Sequence, residues 1–253
     1  MTEMERVAAR ALASLDLTNL DDSCDEEAIA ALCARAETPH GPVAAVCVWP
    51  RFVKQARTAL RPTGIRVATV VAFPSGRDPA SEVIAMTEKA VADGADEIDM
   101  VVPYTQLMEG HPENIPARVA RVKEAAGSAP VKAILETGML ADAALIRRAA
   151  ELAVEGGADF LKTSTGKVPV NATPEAARIL LDVIRASGRA VGFKPAGGVR
   201  TTRDAKLYLD LCDDIMGPDW AGPSTFRIGA SGVLDALVAT LDGRQDTAAG
   251  TGY

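Results

Sequence analysis

Short apolar segments rich in β-branched residues alternate with longer amphipathic segments along most of the chain. Eight segments have the length and composition of strands, and most are continuously apolar. They are Ser14–Thr18, Val43–Val48, Arg66–Val71, Glu97–Val102, Val131–Leu135, Asp159–Thr163, Ala190–Lys194 and Phe226–Ile228. Because continuously apolar strands are buried on both faces, the pattern predicts a parallel sheet covered by helices.

Helical patterns fill the intervals between these strands. Several begin with proline in the first turn, and Glu155-Gly156-Gly157 is typical of a helix end. The clearest helical segments are Pro79–Asp93, Pro112–Ala126, Ala141–Glu155 and Pro174–Ala186. Eight strand–helix units in 253 residues predict an α/β fold, a (β/α)8 TIM barrel with an additional N-terminal helix. No GxGxxG follows the first strand, which argues against an open dinucleotide-binding sheet.

Composition adds limits on domain organisation and location. We expect a single barrel domain over residues 1–241, followed by a mobile Gly-, Ala- and Thr-rich tail over residues 242–253. The net charge of −7, with both signs interspersed, gives no reason to expect nucleic-acid or acidic-membrane binding. No apolar run reaches 18 residues and the N-terminus reads as an amphipathic helix, so we expect a cytoplasmic protein without a membrane span.

Cysteine and histidine usage narrows the chemistry. The four cysteines lack CxxC spacing and are expected to be free thiols. The two histidines, His40 and His111, lie in Pro/Gly-flanked loops. This scarcity argues against a histidine-rich metal site and against a Ser-His-Asp triad.

Charged residues interrupt several of the predicted strands. Since side chains alternate between the faces of a strand, Lys162, Lys194 and Asp99 lie opposite bulky apolar neighbours and are expected to point into the barrel. The same alternation turns further polar side chains inward, namely Asp16, Cys47, Lys132 and Glu136. Lys162, Lys194 and Asp99 also stand near the C-terminal ends of their strands, where barrel enzymes carry their active sites.

Two neighbouring ammonium groups in a poorly solvated site repel each other. Lys162 and Lys194 lie on consecutive predicted strands, so at least one should lose its proton below the ordinary lysine pKa of about 10.4. A neutral amine of this kind can form a Schiff base with a carbonyl, and Asp99 can balance charge and carry protons. For each residue alone, a purely structural ion network is the better interpretation; the convergence of three on one rim favours catalysis. Lys132 and Glu136 are interpreted as charge balance.

Two glycine-rich loops follow the last two predicted strands. Lys194-Pro195-Ala196-Gly197-Gly198 follows the seventh strand, and Gly229-Ala230-Ser231-Gly232 precedes a helix over Val233–Leu241. Backbone N–H groups in such loops and at a helix N-terminus bind anions, and barrels often hold phosphate between these loops. Gly166-Lys167 could supply a third wall and a cation. The alternative is that these glycines only make tight turns.

These segments together resemble the deoxyribose-phosphate aldolases, a family of class I Schiff-base aldolases. The resemblance runs across nearly the whole chain, and its most specific parts are Lys162-Thr163-Ser164-Thr165-Gly166 and Lys194-Pro195-Ala196-Gly197-Gly198-Val199-Arg200. It implies that Lys162 forms the Schiff base and that Lys194 and Asp99 act as proton donor and acceptor. It also implies a set of substrate-binding residues: Asp16, Cys47, Thr165, Gly166, Lys167, Gly197, Gly198, Gly229, Ser231 and Gly232.

The activity implied by the resemblance is the reversible cleavage of 2-deoxy-D-ribose 5-phosphate to acetaldehyde and D-glyceraldehyde 3-phosphate, without a metal or organic cofactor. The partners are then a phosphorylated sugar and short aldehydes, with a homodimer as the candidate assembly. Two alternatives remain: a Schiff-base aldolase for another sugar phosphate, and a non-catalytic phosphometabolite-binding barrel. Gly232 stands where some relatives carry a second serine, and Tyr253 matches a terminal tyrosine thought to assist proton transfer or is a disordered last residue.

Overall fold

The computed structural model describes residues 1–244, and in this range the chain alternates strands with helices. The strands are β1 Leu15–Asn19, β2 Glu37–Thr38, β3 Gly41–Pro42, β4 Ala45–Val48, β5 Arg66–Val71, β6 Glu97–Val101, β7 Val131–Ile134, β8 Phe160–Lys162, β9 Gly192–Lys194 and β10 Ile228–Ala230. The helices are α1 Glu3–Ala13, α2 Glu26–Arg35, α3 Val53–Leu60, α4 Ala80–Ala92, α5 Tyr104–Met108, α6 Asn114–Ala126, α7 Thr137–Leu140, α8 Ala143–Glu155, α9 Pro174–Ser187, α10 Thr202–Met216 and α11 Val233–Leu241.

Eight of the strands described in residues 1–244 form one parallel sheet in the order β10-β1-β4-β5-β6-β7-β8-β9. The sheet closes on itself because β9 and β10 are joined by parallel bridges, Phe193 to Phe226 and Ala196 to Gly229. The Phe193 N–H donates to the Thr225 carbonyl at 2.8 Å, and the Gly229 N–H donates to the Pro195 carbonyl at 2.9 Å. The prediction of a (β/α)8 barrel is therefore confirmed.

The predicted strand and helix bounds agree with the structure to within a few residues, and the eighth strand differs in its position as well as its length. The eighth barrel strand was predicted over Phe226–Ile228, but the regular strand is β10, Ile228–Ala230. Phe226 forms only an isolated bridge, and the side chain of Arg227 turns into the barrel. The short β2–β3 hairpin, with His40 in its turn, was not predicted because two-residue strands leave no periodic signal.

Helix α1 begins with a capping box and packs in the helix layer. The Thr2 side chain accepts from the Glu5 N–H, and the Glu5 carboxylate accepts from the Thr2 N–H at 2.8 Å. The apolar face of α1 packs against α10 and α11, and Arg10 forms a bidentate pair with Asp213 at 2.7 Å. This is the additional N-terminal helix expected from the sequence.

The interior has an apolar outer layer and a mixed inner layer. Outward-facing strand residues such as Val46, Ile98 and Phe193 are fully buried against the helices. Inside the barrel, a smaller apolar cluster forms on the side of β1, β4 and β5, from Leu20, Ala45, Cys47, Ala68 and Val70. Apart from Phe160 and Gly192, which pack against each other, many of the remaining inner positions are polar or charged, so functional side chains concentrate at the barrel centre.

Other expectations can be compared with the described range. Cys24, Cys33, Cys47 and Cys212 are all free and buried, as predicted. None of the helices in residues 1–244 is long and apolar enough to cross a membrane. The division between a domain at 1–241 and a tail at 242–253 stays a prediction, and Tyr253 lies outside the described residues.

Gly192 offers a test of barrel packing beneath the charged residues. It pairs with Phe160 on β8, and a Cβ added at Gly192 would lie 2.3 Å from Phe160 Cε1. We expect Gly192→Ala to lower the free energy of unfolding by about 1–3 kcal/mol, because the buried ring would have to shift within a filled interior. The measurement is urea denaturation followed by circular dichroism.

The matched control is Gly222→Ala, where an added Cβ has open space around it. Its free energy of unfolding should stay within about 0.5 kcal/mol of wild type. Equal losses in the two variants would contradict this account of the interior.

Candidate active site

Asp99, at the centre of β6, accepts hydrogen bonds from three lysines, one on each of the next three barrel strands. Its Oδ1 accepts from Lys132 Nζ at 2.7 Å, and its Oδ2 accepts from Lys162 Nζ at 2.8 Å and from Lys194 Nζ at 2.6 Å. The register explains the meeting, since Asp99 is level with Lys132, and Lys162 is level with Lys194. The structure thus brings together Lys162, Lys194 and Asp99, as strand alternation predicts, and adds Lys132 from the same inner face.

A second set of charges lies beside Asp99, and two of its members, Glu97 and Arg227, were not singled out from the sequence. Arg227 Nη1 bonds to Asp16 Oδ1 at 2.6 Å, and both Arg227 Nη atoms bond to Glu97, at 2.7 and 2.9 Å. Lys194 Nζ also donates to Asp16 Oδ2 at 2.5 Å, and Lys132 pairs with Glu97 at 2.6 Å. We call these connected residues the ion cluster: Asp16, Glu97, Asp99, Lys132, Lys162, Lys194 and Arg227.

Glu97 and Arg227 carried signals that could have found them. Glu97 is two residues from Asp99 and therefore faces the same way. Arg227 is a lone cation between two large apolar residues in the predicted strand Phe226–Ile228. A buried cation needs a carboxylate partner, so this position indicates an ion pair inside the fold. Their pairing with each other follows only from barrel closure.

The ion cluster holds more positive than negative groups. Among residues 1–244 it contains four cations and three carboxylates, all buried. Arg66 also reaches Glu97, at 3.1 Å, but its side chain is half exposed and water screens its charge. With every group ionised, the cluster itself carries one more positive than negative charge, which is costly away from water and is offset only in part by the nearby buried Glu136.

Lys162 is the cation with the weakest electrostatic support. It pairs with one carboxylate, Asp99, whereas Lys194 pairs with two and Lys132 with three. Burial lowers the pKa of Lys162, and repulsion from Lys194 lowers it further, against the opposing pull of Asp99. The direction agrees with the sequence-based expectation, but burial, and not the cationic neighbour, is the largest cause.

The other cluster members stay charged. Burial alone would lower the pKa of Lys194, but attraction to Asp16 and Asp99 leaves it raised. Burial alone would raise the pKa of Asp99, but Lys132, Lys162 and Lys194 together hold it well below its ordinary value. The cluster therefore presents one readily deprotonated amine, Lys162, beside an ammonium and a carboxylate.

Cys47 lies on the apolar side of this site. Its side chain is fully buried, and burial raises the pKa of its thiol. Asp99, Lys162 and Lys194 are all close enough to influence that pKa. Cys47 is thus a protonated, weakly polar wall between the lysines and the apolar cluster on β1, β4 and β5.

Glu136 makes no ion pair with the ion cluster, although its carboxylate, whose pKa burial raises, lies close enough to Lys162 for that charge to oppose the rise. It lies just beyond β7, and its carboxylate accepts from the hydroxyl and the N–H of Thr165, at 2.6 and 3.2 Å. The cause is local backbone: Glu136 has a left-handed conformation, with φ of 56°. This redirects its side chain from the strand alternation towards the neighbouring loop.

The predicted phosphate-binding segments come together beside the lysines. The Gly197 N–H donates to the Gly229 carbonyl at 3.2 Å, so the loops after β9 and β10 are in direct contact. Thr163 links the loop after β8 to the same place, since its hydroxyl accepts from the Ala196 N–H at 3.0 Å. Ser231 is half-buried, and Gly232 caps α11.

Gly197 occupies a position that excludes side chains. Its φ is 79°, and an added Cβ would lie 2.6 Å from Cγ of Asn171. Gly198 has φ of 84° and is exposed. Gly166 has φ of 85°, and the N–H of Lys167 donates to the Thr165 hydroxyl at 3.0 Å. The three loops thus form a cradle whose exposed backbone and cation could hold an anion.

Comparisons with known proteins give a consistent result. A family model described as DeoC/LacD family aldolase matches residues 3–234. A curated deoxyribose-phosphate aldolase from Agrobacterium fabrum (strain C58 / ATCC 33970) is 56% identical over 249 residues, which cover 97% of this chain and 96% of the relative.

Solved structures agree on the fold. The apo crystal structure of a Toxoplasma gondii ME49 protein, described as a deoxyribose-phosphate aldolase candidate, matches with a TM-score of 0.87 and 27% identity, over 95% of this chain and 98% of that one. A deoxyribose phosphate aldolase from Aeropyrum pernix, described as tetrameric, shares the fold with a TM-score of 0.77 and 24% identity, over 95% and 93% of the two chains.

The charge of Lys162 can be tested through its reactivity with an aldehyde. We expect the rate of imine formation at Lys162, trapped by cyanoborohydride, to rise with pH to a midpoint below the ordinary lysine value of about 10.4. Lys194→Met should move that midpoint upward, because it removes a repelling charge and leaves Asp99 with fewer cations.

Lys54→Met is the matched control, since Lys54 is an exposed lysine on α3. Its midpoint should equal that of wild type. A wild-type midpoint at or above the ordinary value, or a downward movement in Lys194→Met, would contradict the charge account.

Proposed function

Since the chain belongs to the DeoC/LacD family of aldolases, we propose that it cleaves 2-deoxy-D-ribose 5-phosphate reversibly to acetaldehyde and D-glyceraldehyde 3-phosphate through a Schiff base on Lys162. The observation that carries the proposal is the position of Lys162: a buried amine with one carboxylate partner, beside a more strongly held ammonium. This is the environment that a nucleophilic lysine requires.

The reaction begins at the neutral amine of Lys162. Its lone pair attacks C1 of the open-chain sugar phosphate to give a carbinolamine. A proton from the Lys194 ammonium then lets the hydroxyl leave as water, and an iminium ion forms. The positive charge of the iminium group then lies beside Asp99 Oδ2, which is 2.8 Å from Nζ of Lys162. Because this carboxylate is already in place and buried, it stabilises the iminium without reorganisation.

Carbon–carbon cleavage uses the iminium as an electron sink. A base removes the proton of the C3 hydroxyl, the C2–C3 bond breaks, and its electron pair moves towards the iminium to form an enamine. D-glyceraldehyde 3-phosphate leaves with a new C3 carbonyl. Protonation of the enamine at C2 and hydrolysis then release acetaldehyde and restore the amine of Lys162.

Asp99 and Lys194 are the groups suited to these proton transfers. Lys194 is held as an ammonium by Asp16 and Asp99 and serves as the donor. Asp99 is held as a carboxylate and serves as the acceptor. Asp99 accepts hydrogen bonds from both Lys162 and Lys194, so a single water molecule is enough to connect these groups to the substrate.

The substrate is oriented by opposite sides of the barrel mouth. The apolar cluster with Cys47 suits the methyl group of the two-carbon product. The cradle around Lys167, Gly197, Gly198 and the N-terminus of α11 suits the phosphate. Phosphate binding fixes the acceptor aldehyde at a distance from the bond being broken, which favours a productive geometry.

Assembly and location belong to the same proposal. We propose a homodimer in the cytoplasm, with residues 1–241 as the catalytic domain. Analytical ultracentrifugation separates a homodimer from a tetramer of the kind described for the Aeropyrum pernix relative.

Trapping tests the assignment of Lys162. Borohydride added with acetaldehyde should inactivate the enzyme, and peptide mapping should find the reduced adduct on Lys162. Lys162→Met should lower cleavage of 2-deoxy-D-ribose 5-phosphate by about 10⁴-fold or more, since a nucleophile cannot be replaced by positioning alone. Activity should persist in EDTA, because the imine supplies the electron sink.

Lys194→Met and Lys54→Met separate chemistry from folding. Lys194→Met should lose turnover by about 10²–10⁴-fold, as for a proton-transfer group, and still form the adduct on Lys162. Lys54→Met should behave as wild type. An adduct on any other lysine would refute the mechanism.

A further inference from the structure

Glu136 is a buried carboxylate that the proposed chemistry does not use. Its side chain is fully buried, and the residue holds a left-handed backbone conformation with φ of 56°. A buried acid and a non-glycine residue in this region are both unfavourable, and such features concentrate at functional sites. Within residues 1–244, Glu136 makes no ion pair and is influenced only by the charge of Lys162 at a distance, so its direct hydrogen bonds need their own explanation.

The hydrogen bonds of Glu136 lead directly to the phosphate cradle. The Thr165 hydroxyl donates to Glu136 Oε2 at 2.6 Å, and the Thr165 N–H donates to Oε1 at 3.2 Å. The same hydroxyl accepts the N–H of Lys167 at 3.0 Å. A hydroxyl has a single proton, and Thr165 donates it in the hydrogen bond to Glu136. The lone pairs of the same oxygen are then directed to accept the N–H of Lys167.

The chain of contacts fixes the turn at Gly166. Gly166 has φ of 85°, and its two neighbours, Thr165 and Lys167, are linked through the Thr165 hydroxyl. A further bond, from the Thr137 N–H to the Thr163 carbonyl at 2.9 Å, joins the two loops alongside Glu136. The loop after β7 thus acts as a support for the loop after β8.

We infer that Glu136 is a positioning residue that, through Thr165, holds Lys167 and the Gly166 turn in the geometry that binds the substrate phosphate. This inference rests on the proposed function for the identity of the substrate. It also accounts for the buried charge: burial raises the pKa of Glu136, while the two bonds from Thr165 favour the carboxylate form.

The test separates phosphate binding from Schiff-base chemistry. Glu136→Gln keeps the side-chain volume but leaves one acceptor atom for two donors. We expect KM for 2-deoxy-D-ribose 5-phosphate to rise about tenfold, as for the loss of one charge-assisted hydrogen bond. The rate of borohydride trapping with acetaldehyde, which carries no phosphate, should stay at the wild-type value.

Thr165 variants test the relay itself. Thr165→Val, which has the same shape without the hydroxyl, should reproduce the effect of Glu136→Gln, and Thr165→Ser should restore wild-type KM. The double variant Glu136→Gln/Thr165→Val should be no worse than the poorer single variant, because both remove the same interaction. Glu175→Gln, an exposed acid at the start of α9, is the control and should leave KM unchanged.

Inorganic phosphate makes the test independent of turnover. Its Kd, measured from the rise of Tm with phosphate concentration, should increase about tenfold in Glu136→Gln and in Thr165→Val. If the wild-type enzyme binds phosphate but does not cleave 2-deoxy-D-ribose 5-phosphate, the proposed function is overturned. The phosphate Kd values of the variants would then still decide whether Glu136 positions the phosphate site. An unchanged Kd for phosphate, or an equal loss of acetaldehyde trapping, would overturn the role of Glu136.

Discussion

The arrangement of the site depends on an imbalance of buried charge. Four cationic side chains share the barrel centre with three carboxylates, and all seven are buried. Burial disfavours a cation that has few carboxylate partners, and it lowers the pKa of Lys162. Lys162 is the lysine affected because Lys132 and Lys194 have more carboxylate partners. Reactivity at Lys162 is thus a property of the whole cluster.

Such a cluster is difficult to explain by stability alone. Buried ion pairs commonly contribute little once desolvation is counted, and apolar residues of similar volume could fill the same space. The bidentate Arg227–Glu97 pair and the Asp16–Lys194 pair instead fix where each charge sits. Burying these groups costs free energy, but their attraction keeps Lys194 charged and Asp99 ionised beside Lys162.

The barrel also separates chemistry from recognition. Strand residues carry the reacting groups, since strands hold a side chain more rigidly than loops do. The loops after β8, β9 and β10 carry the proposed phosphate cradle, and they contact one another through backbone hydrogen bonds. Glu136 connects the two parts, because it follows strand β7 and supports the loop that contains Lys167.

The sequence by itself determined the fold class, the strands that carry the candidate catalytic residues and the strand faces on which those residues lie. Alternation placed Lys162, Lys194 and Asp99 inward, and helix signals located α11 at the residues observed. Family resemblance added the roles. Tertiary structure decided which charges meet: Arg227 pairs with Glu97 across 130 residues of sequence, and only barrel closure sets that register. It also decided that Glu136 turns to Thr165. The reason is physical: periodicity fixes the face on which a side chain lies, whereas pKa values and partners depend on distances between strands.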